Sequence, residues 1–168
     1  MKMYAPKYNI KKLLGQRMKE QNNRKKQKIY AFIIGIVIGT LVYNLIGIDF
    51  SFFAIKRVII HDFFKGYAYL LQNNIRFFMM IFILSFIKRK NEISLIFIFY
   101  QAFVIAGSIV VSIKTKNVLF LYTVPVAFTK ILAVCFIFRD RKELMGHFIG
   151  MIVILIGVLL ENFFIIIF

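Results

Sequence analysis

The sequence predicts an all-α integral membrane protein: five transmembrane helices plus one interfacial amphipathic helix, with the N-terminus inside and the C-terminus outside (N-in/C-out). Of the 168 residues, 61% are hydrophobic and only 18% are charged, and the mean hydropathy is +0.80. A soluble domain of this length carries more charge on its surface. Long apolar runs alternate with short charged segments, and the chain has room for one domain.

Residues 1–28 form a basic cytoplasmic tail that holds ten Lys and Arg residues against one acid, Glu20. Its weak amphipathic pattern allows a short helix lying on the membrane surface. The apolar run 29–48 follows, and its length matches the roughly 20 residues that a bilayer span needs. Gly35 and Gly39 lie at GxxxG spacing in this run, which predicts close packing against another helix.

Residues 50–66 differ from the apolar runs around them. Arg57, His61 and Lys65 recur every four residues and so share one side of a helix, while the phenylalanines lie largely elsewhere. This pattern predicts an amphipathic helix in the plane of the interface.

Four further spans are predicted near 67–87, 93–113, 117–138 and 146–168, which makes 29–168 a single transmembrane helical domain. Pro125 lies midway along the predicted fourth span, where we expect a kink.

The distribution of basic residues predicts the orientation. With the N-terminus in the cytoplasm, the inner segments hold 16 Lys and Arg residues and the outer segments hold five. Positive charge is retained on the cytoplasmic side of a membrane, so the sequence favours N-in/C-out. We therefore expect a multi-pass protein of the bacterial cell (plasma) membrane.

Three ionisable residues fall inside the predicted spans: Arg76, Lys130 and Glu161. Each costs about 2.5–3.5 kcal/mol in the hydrocarbon on insertion scales, so each calls for a partner or a function. Arg76 and Glu161 lie at similar predicted depths, roughly 12 and 10 Å from the outer ends of their spans. We therefore expect them to pair.

Further polar residues surround these charges in the sequence. The predicted cluster around Arg76 and Glu161 also contains Asn73, Asn74 and Asn162. This cluster is either a structural ion pair between the second and fifth helices or a site for a substrate or partner. Lys130 lies near the depth of Gln101 and either snorkels to the inner headgroups or has a role of its own.

The sequence contains no motif for a catalytic, cofactor or metal site. It lacks a glycine-rich phosphate loop, a zinc-protease motif and paired intramembrane aspartates, so we expect no enzyme activity and no cofactor. The net charge of +16 lies mostly in the N-terminal tail and in short segments between spans, which indicates contact with anionic headgroups of the lipid bilayer and not with nucleic acid.

The order of these features resembles the stage II sporulation protein M family of bacterial membrane proteins. The resemblance covers about residues 29–168. It lies in Gly35, Gly39 and Asn44 of the first helix, in 71-LQNNIR-76 and Pro125, and in 159-LLENFF-164. Family members usually have a longer segment between the first two helices and more glycines in the third span, where this chain has Gly107.

The resemblance implies one of two roles. The sporulation member is a non-enzymatic membrane scaffold that anchors partner proteins. Shorter relatives work as permease-like subunits beside a separate ATP-binding cassette (ABC) ATPase, in the maturation, export or immunity of circular bacteriocin peptides. The family label favours the scaffold, and the short chain favours transport. Either role implies homo- or hetero-oligomers and partners among other membrane or envelope proteins, with an ABC ATPase in the second case.

Overall fold

A computed structural model of the chain describes residues 10–45, 63–87, 89–116, 121, 123–138 and 143–167. All regular secondary structure in these ranges is helical, which confirms the all-α expectation. The described residues form five long helices: α1 (Ile10–Leu45), α2 (Phe63–Ser85), α3 (Lys90–Thr115), α4 (Thr123–Ile137) and α5 (Glu143–Ile167).

Within the described part of the chain, three segments are long and apolar enough to cross a membrane: Leu14–Leu45 in α1, Lys90–Thr115 in α3 and Met145–Phe163 in α5. The apolar segments of the other two helices are shorter, at Leu70–Ser85 and Thr123–Ile137. Each of the five helices falls on one of the apolar runs that the sequence predicts as a span. The chain therefore has the composition and helix lengths of a membrane protein.

Helix α1 is unbroken from the basic tail into the first apolar run. We call residues 10–28 the basic arm; its side chains are exposed from Leu14 to Gln27. Because no proline interrupts the helix, the arm continues along the axis of the span for about 28 Å. It does not form the separate surface helix that the sequence allows.

Helices α1 and α3 run parallel and approach closely. Gln27 accepts a hydrogen bond from Asn91 near the start of the contact, at 3.0 Å. Gly35 then packs on α3 beside Ala102. At the far end the Lys114 ammonium donates to the Tyr43 carbonyl oxygen at 2.9 Å, so the two helices stay in register along the whole apolar part of α1.

Tyr43 is the largest buried side chain of this contact. It is 2% exposed, its ring lies 5.3 Å from that of Phe103, and it covers Gly107, which has no side chain to obstruct the ring. The glycine therefore provides the space that the tyrosine fills.

Helices α4 and α5 run antiparallel through a second set of glycines. Gly146 lies against the backbone of Phe136, near the end of α4, and Gly157 lies against Thr129, near its beginning. Helix α2 also runs antiparallel to α5, since Ser85 at its end contacts His147 near the start of α5.

Successive helices thus alternate in direction. One end of the bundle, the basic end, gathers Gln27 of α1, Ser85, Asn91 and His147. The other end gathers the end of α1 and the start of α4, where the hydroxyls of Ser108 and Thr123 are hydrogen-bonded.

The outer surface of the bundle is apolar on every helix. Exposed side chains include Ile33, Ile83, Ile96, Leu132 and Phe148, at 48%, 62%, 67%, 49% and 62%. Soluble proteins rarely expose apolar surface so continuously, whereas acyl chains cover such a surface in a membrane. The main buried cluster joins α2, α3 and α4 through Ile81, Ile98, Val134, Ile137 and Phe138.

The predicted kink at Pro125 and the predicted interfacial helix 50–66 have different outcomes. Pro125 lies in the first turn of α4 and not midway along it, so the expectation of a kink is wrong: the first-turn amide positions have no intrahelical acceptor that a proline would disrupt. The predicted interfacial helix 50–66 lies mostly outside the described residues, and its last four residues, 63–66, belong to α2.

Candidate functional site

The strongest concentration of buried polar side chains lies between α2, α4 and α5. Glu161 of α5 is 7% exposed and its neighbour Asn162 is 2% exposed. Asn74 of α2 is 5% exposed. Glu161 lies 14 residues beyond His147, or about 21 Å along the helix from the basic end. These residues therefore form a polar site deep in the apolar part of the bundle.

Asn74 links α2 to the carboxyl group of Glu161. Its side-chain amide donates to the Leu70 carbonyl oxygen one turn earlier, at 2.9 Å, which fixes the orientation of the amide. In that orientation the amide also lies within hydrogen-bonding reach of the Glu161 carboxyl group. Asn74 thus places a neutral amide beside the carboxyl group.

Lys130 of α4 is the cation that acts electrostatically on Glu161. Its ammonium lies 5.2 Å from the centre of the Phe77 ring on α2, a position that gives a cation–π interaction. No direct salt bridge joins Lys130 to Glu161 in the described part of the chain. The cation therefore rests on an aromatic face and acts on the carboxyl group from a distance.

Arg76 does not take the predicted place beside Glu161. It is exposed, and within the described ranges it forms no salt bridge with Glu161. The reason is helical phase: residues two apart on a helix point to nearly opposite sides. Because Asn74 points into the bundle, Arg76 must point out of it. The predicted pair is wrong, and the charge that faces Glu161 comes from α4.

Of the other polar residues in the prediction, some lie in this site and some do not. Asn162 is buried beside Glu161. Gln101 is 5% exposed on α3, but no hydrogen bond links it to Lys130 where both are described. The side chain of Asn73 lies outside the described part of the structure.

One atom of the site has no polar partner. Glu161 Oε2 is fully buried and accepts no hydrogen bond; among the buried side-chain polar atoms that the structure describes, it is the one left unsatisfied. A buried carboxylate oxygen without a donor is costly, more so than a neutral group. The described side chains alone therefore do not complete the site.

A second polar contact, at the basic end, was not predicted from the sequence. The Ser85 hydroxyl donates to the Phe82 carbonyl oxygen at 2.7 Å, and Ser85 Oγ also lies 2.7 Å from His147 Nε2. Since the hydroxyl has one proton, His147 Nε2 is the donor in that second bond. The imidazole ring stacks on Phe86 at an interplanar angle of 12°. Ser85 therefore accepts a hydrogen bond from His147. In an activated serine nucleophile the hydroxyl instead donates its proton to the histidine.

The basic end also carries an open polar groove between the arm and the start of α3. Its volume is about 470 Å³. It is lined by Glu20, Asn23, Arg24, Gln27, Arg89, Lys90, Asn91 and Glu92. Arg89 and Glu92 form an exposed ion pair at 3.7 Å. Both acidic and basic side chains line the groove, so its electrostatic potential is not of one sign.

The described residues contain no group of three or more His, Cys, Asp or Glu side chains able to hold a metal ion. No family model matches the chain, and neither curated proteins nor solved structures gave a match.

Proposed function

We propose that this protein is a multi-pass protein of the bacterial cell membrane that acts as a non-enzymatic scaffold for partner proteins. In this proposal all five helices cross the bilayer, the N-terminus is cytoplasmic and the C-terminus is outside. The alternation of helix direction supports five crossings. The positive-inside rule supports the orientation, because the basic end combines the arm with the α2–α3 turn.

The projecting arm is the observation that carries the scaffold role. Residues 10–28 contain eight Lys and Arg residues and one acid, and their described side chains are exposed apart from Lys28. A rigid, basic helix continuous with a membrane span presents charge at a fixed distance from the bilayer. Such a helix suits recognition of an acidic protein surface in the cytoplasm.

The resemblance to the stage II sporulation protein M family supports the same role. It rests on 71-LQNNIR-76 and 159-LLENFF-164, and the scaffold member of that family anchors partner proteins without catalysis. Asn74 and Glu161, which lie together in the bundle, are the polar residues of those two motifs that face each other.

Charge reversal on the arm tests the scaffold role. Arg17→Glu with Lys19→Glu reverses two exposed charges away from the groove, and the matched control, Arg17→Lys with Lys19→Arg, keeps both charges. Each form is purified intact in mild detergent after in vivo cross-linking. We expect cytoplasmic partners recovered with the control to be lost on charge reversal. Recovery of the same proteins with both variants would refute a docking role for the arm.

The buried polar site favours a second candidate function, a permease-like subunit working with a separate ABC ATPase. An unsatisfied carboxyl oxygen inside a bundle is a feature of sites that handle protons, ions or substrates in membranes. ATP-dependent export of a small hydrophobic peptide from vesicles containing both chains would establish this function. Loss of that export in Glu161→Gln would place the site in its path.

A further inference from the structure

Glu161 combines three properties that a structural side chain does not need. Its carboxyl group is 7% exposed, one of its oxygens has no polar partner, and it lies about 9 Å inside the C-terminal end of α5. It is also the one acidic residue within the apolar runs of the sequence; the other six acids lie in the tail and the connecting segments. The buried oxygen therefore needs a ligand from outside the described side chains.

The neighbouring helices do not neutralise the group directly. From α2, Asn74 supplies a neutral amide, and Arg76 points away. From α4, Lys130 acts without a salt bridge and rests on the Phe77 ring. An ionised carboxylate here would keep a full charge in an apolar interior with half of its hydrogen-bonding capacity unused.

We propose that Glu161 is an intramembrane proton-binding site, with the proton held on Oε2 and the carboxyl group oriented by Asn74. A proton removes the charge, and the neutral acid that results costs much less to bury than a carboxylate does. It also allows Lys130 to remain on Phe77, because a neutral acid attracts the ammonium weakly. This inference goes beyond the scaffold role, which does not require a titrating group.

The donor set favours a proton over a metal ion. Sodium-like and divalent cations take several oxygen ligands at once, whereas Glu161 is the single carboxyl group of this site. A proton needs only one oxygen and removes the charge of the carboxyl group itself.

A hydrophobic carbodiimide tests the proposal on the full chain in membrane vesicles. The reagent reacts with protonated carboxyl groups in apolar surroundings: the acid O–H adds across one C=N bond, the O-acylisourea rearranges to an N-acylurea, and nothing leaves. Peptide mass mapping identifies the modified residue in the wild-type protein. We expect modification at Glu161, falling about tenfold per pH unit above the titration midpoint, and none in Glu161→Gln.

The other outcomes are also decisive. If the wild type is unmodified while Lys130→Met is modified, the reagent reaches the site and Lys130 keeps Glu161 ionised, which overturns the proposal. Protection by Na⁺ at constant pH also overturns it, because the site then holds a metal ion. If neither form reacts, infrared spectroscopy decides: a protonated-carboxyl absorption lost in Glu161→Gln supports the proposal, and its absence overturns it.

Discussion

Replacing Gly35 by alanine is expected to push α1 away from α3. A Cβ atom at this position would lie 2.6 Å from the Phe99 carbonyl oxygen and 2.7 Å from the Ala102 Cβ atom. Neither neighbour can rotate aside, since one is backbone and the other is a methyl group fixed to it. The helices themselves must separate.

The magnitude follows from these distances. They fall about 0.8 and 0.7 Å short of the 3.4 Å at which ordinary contact begins. Overpacking of this kind costs about 1–3 kcal/mol, and alanine returns about 1 kcal/mol through its higher helix propensity. Gly15, in the same helix, has nothing within 4 Å of its Cβ position. Gly15→Ala should therefore keep the propensity gain without the clash, so the two variants should differ by about 1–3 kcal/mol.

Two measurements check this prediction. The first is the free energy of unfolding of each variant in a denaturing-detergent titration. The second is disulfide cross-linking between Gln27→Cys and Asn91→Cys, positions joined by a hydrogen bond, with Cys135 replaced by alanine. Gly35→Ala should weaken the cross-link and Gly15→Ala should not. Equal stability of the two variants, within about 0.5 kcal/mol, would refute the close approach of α1 to α3.

Two further predictions concern polar contacts. Lys130→Met should lower the free energy of unfolding by about 1 kcal/mol relative to Arg76→Met, because both variants remove a charge from an apolar helix but only Lys130→Met also removes a cation from the Phe77 ring; the reverse order would contradict the assignment. Ser85→Ala should lower the free energy of unfolding by about 1 kcal/mol because His147 loses an acceptor. In a His147→Phe background the same substitution should not lower it. A double-mutant cycle by the same titration measures the coupling, and no coupling would exclude that hydrogen bond.

The helices were predictable because each apolar run is bounded by charges, and the described helices lie on those runs. Gly35 and Gly39 were also identified as packing positions from their spacing, and both lie against α3. The partner helix was not identifiable, because small residues at this spacing fit any neighbour. Tyr43 covering Gly107 depends on the parallel register of α1 and α3, which nothing local in either segment encodes.

The predicted pairing of Arg76 with Glu161 failed for a physical reason that the sequence contains. Arg76 and Glu161 lie at similar depths along their helices, but contact also requires that the two side chains point towards each other. Asn74 and Arg76 are two residues apart, so one faces the bundle when the other faces outward. The sequence identifies Lys130 as a charged residue within an apolar run, but its position beside Phe77 depends on the packing of α2 against α4.

Contacts that do not involve Glu161 already join α5 to its neighbours. Helix α5 is already joined to α2 by the Ser85–His147 hydrogen bond and to α4 by glycine contacts along its length. A carboxyl group kept to hold helices together would have donors on both oxygens, and Glu161 has none on Oε2. Its role is therefore separable from that of the arm. Charge reversal at Arg17 should change the partners and leave carbodiimide labelling intact, and Glu161→Gln should do the opposite.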